Sequence, residues 1–531
     1  MRNIKNSHIA KCLVAPLLVA AASCTGSYLD INSNPYEPGD LSGDSYKMVS
    51  QLNNIASCVM SADVNTIQFT DALLGGTLGG YFSDANAGFA ESFARYNPKD
   101  DWSRVFLKSD KIVSTLYANL NALEKDCEEI NNMVPYSVAT IIKIAAMSRV
   151  TDTYGPIPYL ELGKSDDLYV PYNSQEEIYK SFLSELSEQI DFLMANSTVS
   201  ISALGDYVYY GDITKWIKFA NSLKLRLAMR ISFVEPALAK QMAEEAVTDG
   251  VIESNDDNAC WNYFKTGNPV NGLYVAKEYN SDGCETGGDT HAAADLICYM
   301  NGYNDNRRSA YYVKSEAWAD MDYVGLRRGW EVFDKSWGFN FCGLNLKSTD
   351  PYIWMTAAEV AFLRAEGAAV HGWNMGKSAG DLYNEGIHLS FEQWGVSGAS
   401  AYCEDSTSRP AAYNDPTGYN PYTGSLSSIT IKWDDSASTQ TKLERIITQK
   451  WIALWLNGNE AWAELRRTGY PQLIPVAANL SGGIVDSNLG PQRMPYPQEE
   501  YTNNSINVTN AVNTMLGGPD NQATKLWWAN Y

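Results

Sequence analysis

The chain reads as a mostly α-helical protein, a scaffold of tetratricopeptide-like helix pairs carrying an irregular, loop-rich lobe that presents a ligand site. Two observations predict this. Apolar residues recur at helical spacing over residues 101–235 and again from 356 onwards. Between residues 251 and 349 that period gives way to Gly, Asn, Asp and aromatic residues. The scaffold therefore covers about 40–250 and 350–531, and the lobe about 251–349. No strict repeat of fixed period is visible, although several helix pairs have the length needed to stack.

Ile112, Leu116, Leu120 and Leu123 stripe the first helix of the 101–235 region, and Ile141, Ile144, Ala145 and Ser148 the second. A third carries Ile178, Phe182, Leu186, Ile190 and Leu193 and is opened by Ser174 with Glu177, a capping box. The intervening Thr153-Tyr-Gly-Pro-Ile-Pro-Tyr159 breaks the helical run, because its two prolines lack donors and restrict their neighbours. Trp216, Phe219, Leu223 and Leu227 mark a fourth helix. Beyond the lobe, helices are predicted over Thr356–Trp373 and Ser378–Trp394. A polar stretch over 395–438 then leads to a long helix, Lys442–Leu456, striped by Ile446, Ile447, Lys450, Trp451, Leu454 and Trp455.

At the start, Arg2, Lys5 and Lys11 precede the apolar run Cys12–Ala22, which is too short to span a bilayer and ends in Ala21-Ala22-Ser23-Cys24. This order predicts a lipoprotein signal over residues 1–23, with acylation at Cys24 and a mature chain 24–531. Each buried CH₂ of an acyl chain contributes about 0.8 kcal/mol, so two or three chains anchor the protein stably. No later apolar stretch approaches the ~20 residues of a spanning helix. Cleavage takes the formal charge from -22 to -25, which disfavours nucleic acid and keeps the body off an anionic bilayer.

The remaining cysteines, at 58, 127, 260, 284, 298, 342 and 403, form no CxxC pair and give no zinc or thioredoxin pattern. Their disulfide pairing is left open. The histidines make no HExxH, no GxSxG is present, and Asn280-Ser-Asp-Gly-Cys-Glu285 lacks the closing Glu of a calcium loop. No cofactor or metal is assigned. Glu359 and Glu366 lie two turns apart, ~10.5 Å of rise, beyond the separation of a glycosidase pair, and read as structural partners of arginines such as Arg364.

The composition is unusual in its 33 Tyr and 15 Trp beside 4 His. Such rings join an apolar face to a polar handle and suit recognition. Trp216, Trp373, Trp451 and Trp455 fall on helical stripes and read as packing. In the lobe, Tyr299, Tyr303, Trp318, Tyr323 and Trp330 are candidate ligand contacts, against the alternative that individual rings fill its core. Trp318, Tyr323 and Trp330 are preferred because they flank Gly325-Leu-Arg-Arg-Gly329, which reads as a flexible basic turn. Tyr81, after the Gly-rich Gly75–Gly80, is a further candidate, although that segment also reads as a plain surface turn.

Several segments resemble the SusD/RagB family of outer-membrane nutrient-binding lipoproteins, and its SusD-like branch in particular. They are Cys24-Thr-Gly-Ser-Tyr-Leu-Asp-Ile-Asn-Ser-Asn-Pro35, Asp152-Thr-Tyr-Gly-Pro-Ile-Pro158, Leu223-Lys-Leu-Arg-Leu-Ala-Met-Arg230, Met355–Gly367, Gln449–Trp462 and Arg493-Met-Pro-Tyr-Pro-Gln498. Where the family has Asn-Asp-Pro-Arg, this chain has Asn304-Asp-Asn-Arg307. The resemblance implies a helical fold with an irregular ligand-holding lobe, anchored by lipid at the cell outer membrane and exposed at the surface. It further implies a non-enzymatic binder that delivers oligosaccharides to a SusC-like TonB-dependent barrel, or peptides in the RagB-like branch. A secreted helical glycosidase is the remaining alternative. Replacing Cys24 by Ala is expected to move the protein from the detergent phase to the aqueous phase on partitioning; unchanged partitioning would contradict lipidation.

Overall fold

The computed structural model describes residues 43–531 except 104–105, 108–111 and 165–168. The signal segment 1–23, Cys24 and the opening motif through Pro35 lie outside the described residues. One compact unit spans Met48–Tyr531. Among the described residues no helix is long and apolar enough to cross a membrane.

Twelve of the longer helices organise the chain. They are α1 Gly43–Ala56, α2 Val113–Glu129, α3 Val134–Tyr154, α4 Gln175–Ala195, α5 Ile213–Arg230, α6 Pro236–Asp249, α7 Ala294–Gly302, α8 Ala357–His371, α9 Ala379–Gln393, α10 Thr439–Ala453, α11 Gly458–Thr468 and α12 Ser505–Thr514. Successive helices α2 to α6 pack on their neighbours, and α8 packs against α9, α10 and α5. Polar caps start several of them. Ser174 and Glu177 form the reciprocal capping box of α4, while Asp212, Thr356, Ser378 and Ser438 accept first-turn N–H groups of α5, α8, α9 and α10. Helix α3 is buried on nearly every face and ends at Gly155, whose φ of 89° a side chain would resist.

Strands are few and short. Phe82–Asp84 pairs with Thr290–Ala292, Ile157–Pro158 with Tyr172–Asn173, Ala259–Trp261 with Tyr352–Met355, and Tyr312–Val313 with Gly343–Leu344, all antiparallel. The 251–349 region is thus irregular, as its composition predicts, but it also contains α7 and the short helix Gly272–Glu278.

Gly75–Gly80 departs from its reading as a surface turn. The segment Gln68–Gly76 is a buried π-helix packed on α11. A Cβ on Gly75 would lie 2.5 Å from Asn459 Nδ2, and one on Gly458 would lie 2.3 Å from the Gly75 carbonyl carbon. The glycines let two backbones touch in the interior. Trp451 Nε1 donates to the Gly79 carbonyl at 2.7 Å and locks the segment to α10.

Charged side chains join the helices in the interior. Arg226 of α5 pairs with Glu359 of α8 at 2.7 Å, and Arg467 of α11 forks onto Glu366 of α8 through two 2.7 Å bonds. The acids of α8 therefore have partners on α5 and α11 rather than Arg364, which turns to Glu253 and the Met375 carbonyl. Arg230 reaches Glu460 and Glu464 at 2.5 Å each, and Lys450 reaches Glu464 at 3.1 Å. Burial works against a charge on Glu464, yet Arg467, Lys450 and Arg230 hold its carboxyl well below the usual range. Among the described residues, Cys127, Cys260, Cys284, Cys298, Cys342 and Cys403 are free thiols. Removing one partner of a buried pair strands the other, at about 3–5 kcal/mol. Arg467→Met is therefore expected to lower unfolding stability by about that amount in a denaturant titration, and a loss under about 1 kcal/mol would show that the network carries little.

Candidate ligand-binding surface

A small apolar cluster separate from the main core underlies the surface formed by residues 312–344. It consists of Ala85, Val324, Leu326, Trp330 and Phe341, with Trp318, Met321, Trp337 and Ala477 packed against it. Short 3₁₀ turns at Glu316–Trp318 and Lys335–Asn340 carry two of these rings, opened by the side chains of Ser315 and Asp334. The pairing of Tyr312–Val313 with Gly343–Leu344 closes the base.

The rings form a floor and a shelf. Phe341 and Trp330 are buried, at 0% and 6% exposure, and Arg95 Nη2 holds the Trp330 carbonyl at 3.0 Å. Above them lie half-buried Trp318, edge-on to Phe341 at 4.9 Å, and half-buried Trp337, perpendicular to Trp330 at 6.0 Å. Tyr419 continues the shelf 5.5 Å from Trp337 and is 65% exposed. Arg327 ties in the strand of chain that bears Tyr419. It donates to the carbonyls of Asn420 and Pro421 at 3.3 and 2.9 Å and lies over the Tyr422 ring. Phe333, 69% exposed, is carried by the same region.

The predicted contacts divide. Trp318 and Tyr323 are half-buried at the surface, and Trp330 is floor. Tyr323 lies under Arg308 and Lys314, with ring-to-cation separations of 5.4 and 6.0 Å. Tyr81, Tyr299 and Tyr303, expected as contacts, are interior instead. Their hydroxyls donate to the carbonyls of Trp451, Gln472 and Ile429, so both the apolar face and the polar handle are used in packing. Gly325–Gly329 is not a flexible turn either. Leu326 bridges Ala293, Gly325 packs directly on the Ala293–Ala294 backbone, and Arg328 is buried in a forked pair with Asp295 at 2.8 and 3.1 Å. Asp305 and Arg307, in the departing Asn-Asp-Asn-Arg motif, likewise form a fully buried pair at 2.5 Å.

Trp337 and Tyr419 are the shelf rings that the sequence reading did not select. Trp337 belongs to the aromatic run, and Tyr419 lies in Asp415-Pro-Thr-Gly-Tyr-Asn-Pro-Tyr422, where turn residues alternate with tyrosines. That pattern was the available signal. Exposed Glu316, Asp320, Asp322, Glu331 and Asp334 lie on the segments that carry the rings, and Asp322 pairs with Arg308 at 2.6 Å. The surface therefore offers flat apolar faces edged by carboxylates, which suits a neutral ligand with hydroxyls and C–H faces. His291, behind Gly338, is pushed down to about 4 by burial and is neutral. Among the described residues no group of three or more His, Cys, Asp or Glu could hold a metal ion.

A family model described as SusD-like, SusD and RagB outer membrane lipoprotein, matches residues 30–529. The chain is similar to the crystal structure of a SusD homolog from Bacteroides uniformis, with 55% identity and a TM-score of 0.89 over 92% of this chain and 100% of that one. It is 39% identical to a SusD homolog from Bacteroides thetaiotaomicron, with a TM-score of 0.82 over 91% of this chain and 99% of that one. A chitin-binding SusD homolog from Flavobacterium johnsoniae is 35% identical, with a TM-score of 0.81 over 92% of this chain and 99% of that one. No curated protein matches.

Asp84 adjoins Ala85 of the cluster. Burial, with Asp289 adding, pushes its carboxyl up to about 7, against the opposing pull of Arg95 and Ser92. Unfolded, it titrates near 3.8. Between those values the folded chain holds a proton that the unfolded chain has released, so this group's contribution falls as pH rises from about 4 through about 7. Asp84→Asn is expected to flatten that decline and raise the melting temperature at pH 8; an unchanged pH profile would remove Asp84 as its source.

Proposed function

Because this chain belongs to the SusD/RagB family of outer-membrane lipoproteins, we propose that it is a glycan-binding lipoprotein of the cell surface, tethered through Cys24. It captures oligosaccharides on the Trp318–Trp337–Tyr419 shelf and passes them to a SusC-like TonB-dependent barrel. The observation that carries the glycan reading is the shelf itself. Three rings from separate segments stand at the surface over a dedicated apolar floor, edged by acids that disfavour an anionic ligand. Chitin binding by one homologue supports the same ligand class.

Binding without turnover is supported by the acids most suggestive of chemistry. Glu359 and Glu366 are each consumed by an arginine, Arg226 or Arg467, and are not free to act on a glycosidic bond. Stacking on aromatic faces holds a chain of sugars without requiring a reactive group.

Calorimetry with chito-, malto- and xylo-oligosaccharides, and with a pool of defined peptides, tests the ligand class. Heat from at least one oligosaccharide is expected, and binding to peptides alone would refute the glycan reading. Trp318→Ala and Trp337→Ala are each expected to weaken that binding about tenfold, or about 1.4 kcal/mol, with the melting temperature little changed. Unaltered affinity in both variants would move the site elsewhere.

A further inference from the structure

A groove that shares no lining residue with the aromatic shelf is present in the helical scaffold. It has a volume of about 840 Å³ and lies between α2, α3, α4 and the segment Tyr159–Lys164. A volume in the range of about 300–1,000 Å³ is that of a small-ligand site. Three tyrosines, Tyr117, Tyr136 and Tyr159, line it, one each from α2, α3 and the connecting segment.

The groove is built rather than incidental. Asn121 Nδ2 holds the Gly163 carbonyl at 2.8 Å, and the Asn173 carboxamide oxygen accepts from Leu160 N at 2.9 Å, so both ends of the wall are fixed. Gly163 has a φ of 80°, and a Cβ there would meet the Tyr117 ring at 2.8 Å. Glu185 is the polar hub. It accepts from Lys143 at 2.5 Å, from Tyr159 at 2.9 Å and from Ser181 at 2.7 Å.

One polar group in this arrangement has no use within the protein. Tyr117 is nine-tenths buried, lines the groove, and its hydroxyl has no hydrogen-bond partner. Burial, and then the Glu185 and Tyr136 charges, push this phenol up, so it stays a neutral donor at any working pH. A buried hydroxyl without a partner costs about 1–3 kcal/mol, a cost that a ligand oxygen would remove.

The charges select the ligand. Glu124 and Glu185 in the lining, with Glu161, which pairs with Lys164 at 3.7 Å, match Lys125, Lys143 and Lys164, so the groove favours neither sign. Flat phenol faces, a carboxamide and carboxylates around a neutral cavity recognise a compact polyhydroxylated molecule. We infer that this groove is a second binding site, remote in sequence from the shelf, for a short neutral oligosaccharide, with the Tyr117 hydroxyl donating to a sugar oxygen. It does not depend on the shelf being the principal glycan site.

Saturation-transfer NMR tests this on the mature chain carrying Trp318→Ala and Trp337→Ala, with maltotriose, cellotriose and triacetylchitotriose as neutral probes. Spermidine and tri-galacturonate serve as charged controls. At least one neutral trisaccharide is expected to receive saturation. Adding Tyr117→Phe is expected to reduce its affinity at least fivefold while leaving the melting temperature unchanged or higher, since no protein contact is lost. Adding Ser181→Trp, which fills the groove, is expected to abolish the signal. Four results would overturn the inference: no neutral probe binding, binding by the charged controls alone, neutral binding that survives Ser181→Trp, or a lowered melting temperature in Tyr117→Phe.

Discussion

The interior of this protein depends on a set of guanidinium–carboxylate contacts that no single helix could make. Arg226 and Arg230 of α5, Glu359 and Glu366 of α8, Lys450 of α10, and Glu460, Glu464 and Arg467 of α11 meet away from water. Each charge would be costly to bury alone. Arg466 adds its own bonds to the carbonyls of Asp152 and Gln492 and lies 3.6 Å above the Trp462 ring. Asp152 in turn accepts from Tyr179 and Trp528, which draws α4 and the C-terminal segment into the same centre. Helices far apart in sequence thereby hold one relative placement, because charge pairing is directional where apolar contact is not.

That fixed scaffold permits a different kind of construction at residues 312–344. Here the chain has little regular structure, yet it is not loose. Arg328 reaches Asp295 and the Ile474 carbonyl, Arg95 holds Trp330, and Arg327 gathers the carbonyls of 420, 421 and 475. Arginines in this region act mostly as clamps on backbone oxygens. Their consequence is that the outer rings, Trp318 and Trp337, stand on a rigid floor, so little conformational entropy opposes a ligand that stacks on them.

Much of the scaffold was legible in the sequence. The stripes of α2 to α5, the capping box at Ser174 and the helices after 356 follow from spacing and cap chemistry, which are local properties. Gly75–Gly80 was misread because glycine permits both a surface turn and a close interior contact, and the partner that decides, Gly458 with Asn459, is nearly 400 residues away. The partners of Glu359 and Glu366 were misassigned for the same reason: Arg364 is near in sequence, whereas Arg226 and Arg467 are near in space. Within the aromatic run, composition marked the region but not which rings are free, since Tyr299 and Trp337 differ only in whether a distant segment covers them.

The sequence by itself determined the helical scaffold, the irregular lobe, the acidic balance and the family motifs, because periodicity, caps and composition act over a few residues at a time. The tertiary structure alone decided which aromatic faces meet solvent, since that depends on the side chains and backbone brought from elsewhere. It buried Tyr81, Tyr299 and Tyr303 against carbonyls of residues 451, 472 and 429, and it joined Tyr419 to Trp337 across more than eighty residues of chain. It also left the Tyr117 hydroxyl without a partner in a groove that no local pattern announces.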